Sequence, residues 1–172
     1  MKKTNFKILI SFVLIAIGLT SCNQTDNLST IFLKGGKKMT NIAYHSKGKA
    51  IPLLGNLDEN EANNISNESN YILILDGTET NDKIENGTFT FKLIDTTING
   101  TWRVDGKSRK FSMRKSGVYN LSSRESKDRV ALETFNAIND TYKYSGDNKT
   151  LLLYYNDKHK SKPFLMFKGA EK

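Results

Sequence analysis

The chain has 172 residues, 37% of them hydrophobic and 26% charged, with a formal charge of +8 and a mean hydropathy of −0.51. One cysteine and two histidines exclude an intramolecular disulfide framework and any metal site built mainly from Cys and His. This length makes about one domain, long enough to bury a core without covalent staples.

The chain opens with a processing signal. Lys2, Lys3 and Lys7 flank an apolar run from Ile8 to Ile17, followed by small residues and Cys22. Charged start, apolar middle and small-residue end are the layout of a secretory signal peptide, and the run is shorter than the ~20 residues that span a bilayer. Leu19-Thr20-Ser21-Cys22 resembles the lipobox of bacterial lipoproteins. That resemblance implies cleavage after residue 21, a diacylglyceryl group on the Cys22 thiol and an acylated new amino terminus. With two or more acyl chains, at ~0.8 kcal/mol per buried CH₂, anchoring is stable. It also implies residence in the bacterial cell envelope, and Asn23 in place of Asp favours the outer membrane. Cys22 is thereby withdrawn from nucleophilic, redox and metal chemistry.

Loss of residues 1–21 removes three lysines and leaves a formal charge of +5. The remainder is uneven: Cys22 to Trp102 holds 7 basic against 10 acidic residues, and Arg103 to Lys172 holds 16 against 8. Such asymmetry suits one face to anionic partners.

Residues 22–29 read as a polar, lipidated tether, and 30–172 as one β-rich domain. The seven residues Asn23 to Ser29 reach at most about 25 Å, which keeps the body near the membrane. Thr30 to Leu33 reads as a strand stopped by Gly35-Gly36, Met39 to Ser46 as a second, and Ala50 to Leu57 as an edge piece because Pro52 cannot donate to a ladder. Asp58 to Asn70 is acidic, rich in Asn and poor in apolar residues, so a long exposed loop is expected. Tyr71 to Leu75 is apolar throughout and reads as a doubly covered strand. From Gly87 to Ile94, Phe89, Phe91 and Leu93 alternate with Thr88, Thr90 and Lys92, the pattern of a half-buried strand. Asn99-Gly100 and Asp105-Gly106 read as tight turns flanking Thr101 to Val104 and leading into Lys110 to Lys115.

One helix is expected near residues 124–139. Ser123 or Ser126 can cap it, and Val130, Ala131, Phe135 and Ile138 recur at helical spacing. Three strands follow: Thr141 to Ser145, Leu151 to Tyr155 and Pro163 to Lys168. The expected fold is mainly β, an antiparallel meander or small β-barrel with one packed α-helix.

Tyr44 to Gly55, Gly87-Thr88-Phe89 and Gly100-Thr101-Trp102 resemble, in that order, the β-meander segments of small lipoproteins of Bacteroidetes-type bacteria. The segments Glu133 to Ile138, Tyr142 to Asp147, Leu151 to Leu153 and Phe164 to Phe167 are similar to the end of META domains, envelope lipoproteins in which a helix precedes the last strands. Gly100-Thr101-Trp102 also resembles the Gly-x-Trp of lipocalins. These resemblances imply a β fold; the last implies a carrier of a small apolar ligand, with Trp102, Phe89 and Phe91 bounding an interior pocket.

The sequence offers little chemistry. His45 and His159 have no ligand or triad spacing around them, and no Gly-x-Ser-x-Gly elbow or Gly-rich phosphate loop is present. The expectation is therefore a non-enzymatic protein without metal or cofactor. No nucleic-acid motif is visible, so no nucleic-acid partner is expected. Lys110, Ser112 and Arg114 share one face of a strand, opposite Phe111 and Met113, and Arg103 lies on the neighbouring strand. Arg103, Lys110 and Arg114 thus form a candidate anion-binding face for an envelope glycolipid or protein.

Overall fold

The computed structural model describes residues 27–157 and 162–169 of the chain; the expected signal segment, Cys22 and His159 lie outside them. Nine antiparallel strands build one sheet: β1 (Lys37–Ser46), β2 (Lys49–Pro52), β3 (Ile72–Asp76), β4 (Lys83–Lys92), β5 (Thr97–Asp105), β6 (Lys110–Lys115), β7 (Thr141–Gly146), β8 (Thr150–Tyr155) and β9 (Phe164–Lys168). Their order is β2-β1-β3-β4-β5-β6-β7-β8-β9, and β1 also pairs with β9 from Lys38↔Lys168 to Ala43↔Phe164. That pairing closes eight strands into a barrel, with β2 a hairpin extension of β1. Closure removes the free edges an open sheet would expose.

Alternation drives the walls. On β5, Ile98, Gly100, Trp102 and Val104 are buried and the residues between them face water; Phe89 and Phe91 on β4 and Phe111 and Met113 on β6 do the same. β3 follows this rule too. Leu73 and Leu75 point inward while Ile74 is 50% exposed, so this apolar run lines one face rather than two. Asn99-Gly100 is no turn but lies inside β5, opposite Phe89 and Lys115. Glycine is required there because a Cβ would run into the Arg114 carbonyl and the Phe89 ring.

Residues 28–33 close one end of the barrel. Ser29–Leu33 is a short π-helical turn rather than the expected strand. Leu28, Ile31 and Phe32 recur at helical spacing and are all buried, so the compact body begins before the expected tether has ended. The Phe32 ring sits 5.4 Å from Trp102, 5.5 Å from Phe111 and 5.0 Å from Tyr144. Ser29 fastens this plug to the β3–β4 loop, its N–H and hydroxyl both donating to Glu79 Oε2 at 2.8 and 2.6 Å.

Helices α1 (Glu59–Ser66) and α2 (Arg129–Ala137) pack at the other end. α1 replaces the expected exposed loop. A reciprocal capping box starts it, with Glu61 N–H donating to Asp58 Oδ1 and Asp58 N–H to Glu61 Oε2. α2 lies where a helix was expected, capped by Asp128, whose Oδ1 accepts from Ala131 N–H at 3.0 Å, in place of Ser123 or Ser126. Glu61, only 2% exposed in its side chain, receives a bidentate Arg129 guanidinium. Those hydrogen bonds hold its carboxyl down to about 2. Asp128 also accepts from Tyr71 Oη and Asn64 Nδ2. Glu125, fully buried, accepts the consecutive N–H groups of Ile94, Asp95 and Thr96 and the Thr96 hydroxyl. Burial opposes its charge, yet these donors and Ser122 hold the carboxyl below its ordinary value.

The expected interior pocket is filled by side chains. Trp102, Phe89 and Phe91 are at most 3% exposed: Phe32 occupies the space beside Trp102, Phe167 lies 5.9 Å from Phe91, and Phe89 covers Gly100. A small barrel can hold one ligand or its own side chains, and this one holds side chains. The lipocalin-like carrier reading therefore loses the pocket on which it was built.

Candidate functional site

The outer wall over β4, β5, β6 and β7 carries a groove of about 560 Å³. Three backbone irregularities form it. Between the pairs Ile84↔Val104 and Gly87↔Trp102, β4 inserts Glu85 and Asn86 opposite the single residue Arg103. Between Thr141↔Tyr155 and Lys143↔Tyr154, β7 carries the extra residue Tyr142. Bulges of this kind interrupt pairing and re-aim side chains. β6 and β7 meet at only one ladder pair, Lys110↔Lys143. Beyond it, side chains accept from the β6 backbone: Met113 N–H donates to Thr141 Oγ1 and Lys115 N–H to Asn139 Oδ1, each at 2.8 Å. The seam between these strands is the groove's floor on one side.

Trp102 fixes the β4 bulge from inside. Its indole N–H donates to the carbonyls of Asp76 and Thr88 at 2.9 and 3.0 Å, and the ring lies so close to Gly87 that no Cβ fits there. Trp102, expected as a pocket wall, is thus a positioning residue for the outer surface.

The groove combines Lys83, Arg103 and Lys110 with Glu85, Asp105, Asn86, Ser112 and Tyr142. Asp105 is already engaged. Its Oδ1 accepts from the N–H groups of Ser108 and Lys107, its Oδ2 lies 3.6 Å from Lys83 Nζ, and the turn donors keep its carboxyl below the usual range. Arg103 Nε donates to Ser112 Oγ at 3.1 Å, which orients the guanidinium and leaves its terminal nitrogens to other acceptors. Among the described residues no carboxylate pairs with Arg103 or Lys110. Arg114 shares their outward face, in register with Thr101, but lies outside the groove lining. The structure therefore brings together two of the three residues singled out for anion binding, with Ser112 of the same strand face, and adds Lys83, Glu85, Asn86 and Tyr142. For Glu85 and Asn86 the sequence signal is the broken alternation at Ile84-Glu85-Asn86-Gly87.

His45 stands exposed at the end of β1, its Nε2 3.3 Å from Tyr154 Oη and its ring 4.8 Å from Phe164. Among the described residues no group of three or more His, Cys, Asp or Glu side chains could hold a metal ion, and no helix is long and apolar enough to cross a membrane.

Fold and wall together define a closed, eight-stranded antiparallel β-barrel, side-chain-filled, with a groove on its outer surface. The chain belongs to the family described as domain of unknown function DUF4847, whose profile matches residues 23–169. It is similar to the crystal structure of a DUF4847 family protein from Bacteroides vulgatus ATCC 8482, solved at 1.00 Å resolution. The TM-score is 0.57 at 20% identity, over 85% of this chain and 99% of that one, a likeness that shows the fold. No curated protein matches the chain.

Proposed function

We propose that the protein is a lipid-anchored, non-enzymatic binding protein of the bacterial cell envelope, placed at the outer membrane, whose outer-wall groove takes an anionic group of an envelope component. One observation carries the binding reading: Arg103 and Lys110 share a groove in which, among the described residues, neither is paired with a carboxylate, Asp105 being occupied by Lys83 and by turn amides. A guanidinium oriented at its Nε presents a fork suited to carboxylate or phosphate. The anchor rests on the lipobox at Leu19-Thr20-Ser21-Cys22.

The binding half is tested with vesicles of phosphatidylcholine with and without lipopolysaccharide, using Cys22→Ser protein so that acyl insertion does not dominate. Charge reversal at Arg103 and Lys110 should weaken association with the lipopolysaccharide vesicles by about tenfold or more, the equivalent of at least one charge-assisted contact. Unchanged association would defeat the anion reading. For the anchor, labelled palmitate should enter the wild-type protein and not Cys22→Ser, which should leave the membrane fraction or persist as precursor; an acylated Cys22→Ser protein would refute it.

A further inference from the structure

Resting on the anion-binding reading of the groove, we infer that its ligand is a sugar bearing one anionic group, either a phosphate or a ring carboxylate. Apart from the Lys83–Asp105 ion pair, hydrogen-bonding sense changes across the groove. Arg103 and Lys110 supply donors and positive charge from β5 and β6, whereas the β4 bulge sets Glu85 and Asn86 directly across from Arg103. A bare polyanion placed there meets Glu85 as a repulsive charge. A ligand with one charged group and several hydroxyls meets it as an acceptor for those hydroxyls, while Asn86 can both donate and accept. The β7 bulge adds Tyr142, a residue with an apolar ring and a polar tip, to the same groove. A cation pair, a carboxylate, a carboxamide and an aromatic ring around one small site match the alternating C–H faces and hydroxyl rims of a pyranose. The volume of about 560 Å³ suits a small molecule of this kind. Two separate bulges deliver the residues that a simple electrostatic patch would not need, and bulges concentrate at such sites. Trp102 holds the first of them from within the core.

The test is calorimetric titration of the full chain, in a neutral detergent, with inorganic phosphate, glucose 6-phosphate, glucuronate and glucose. Glucose 6-phosphate or glucuronate should bind about tenfold more tightly than either phosphate or glucose, the yield of one further good contact. The stronger of the two identifies the anionic group. Tyr142→Ala should bring the sugar acid down to the level of phosphate, Tyr142→Phe should retain most of the advantage, and Glu85→Gln should weaken the sugar acid while strengthening phosphate. Arg103→Gln should weaken both. Near-ultraviolet circular dichroism, reporting on Trp102 in the core, checks that each variant keeps its fold. If sugar acids bind no better than phosphate, or if Tyr142→Ala leaves their ratio unchanged, the sugar inference is overturned while the anion reading stands. If neither phosphate nor sugar acid binds, or if Arg103→Gln changes nothing, both readings fall together.

Discussion

The two ends of the barrel are closed by opposite chemistries. At one, Leu28, Ile31 and Phe32 insert an apolar plug between Trp102, Phe111 and Tyr144, with a single polar latch from Ser29 to Glu79. At the other, α1 and α2 are tied through Glu61, Arg129, Asp128, Asn64 and Tyr71, and Glu125 grips the β4–β5 turn. The apolar end draws its stability from area removed from water, an effect that is non-directional and insensitive to pH. The polar end draws little net free energy from each bond but a large penalty from any partner left unmatched, so it specifies one arrangement of the helices. The plug supplies stability, and the network supplies uniqueness and a dependence on pH.

The largest effect should come from breaking the apolar end. Phe32→Ala empties the space between three aromatic rings and should cost about 3–5 kcal/mol, read as a lower denaturation midpoint with little change between pH 7 and pH 4. At the polar end, Glu61→Gln should cost less at pH 7, and its difference from wild type should fade on acidification. The sign follows from the carboxyl's depression from 4.5 to about 2: its contribution is complete above the unfolded value, shrinks as pH falls below it, and is gone near pH 2. A difference that stayed constant from pH 7 to pH 2 would remove Glu61 from the pH-sensitive set. The smallest effect should be that of Ser29→Ala, which deletes the hydroxyl bond of the latch, keeps the backbone N–H bond to Glu79 and leaves the plug buried. A loss of about 1 kcal/mol or less in chemical denaturation is expected, and a loss as large as that of Phe32→Ala would mean that the latch, not the apolar contact, holds the plug.

Much of the wall was legible because its signal is local. Phe89 and Phe91, then Trp102 and Val104, then Phe111 and Met113 alternate within their own strands, and Val130, Ala131 and Ile138 mark a helix by spacing alone. The plug was less visible: Ile31-Phe32-Leu33 is a short apolar run, and such a run fits a strand as well as a helical turn until its partners are known. α1 was hidden for another reason. It has no apolar stripe, and its buried residues, Glu61 and Asn64, are polar groups made tolerable by Arg129, Asp128 and Arg124 far along the chain. Asn99-Gly100 carried the chemistry of a turn, but the long-range fit of Phe89 over Gly100 decided otherwise. At the candidate site, Arg103 and Lys110 could be placed on one face by period-two counting. Glu85, Asn86 and Tyr142 could not, because a bulge is defined by the register of two strands and neither sequence alone contains it.

The pairing of β1 with β9 has a consequence for the order of events during synthesis. It joins residue 38 to residue 168, so the barrel cannot close until almost the whole chain is available. Contacts of such high sequence separation are slow to form, and until they do, β1 and β9 each keep an unpaired edge. A chain that withholds its final stave stays open while it is being made.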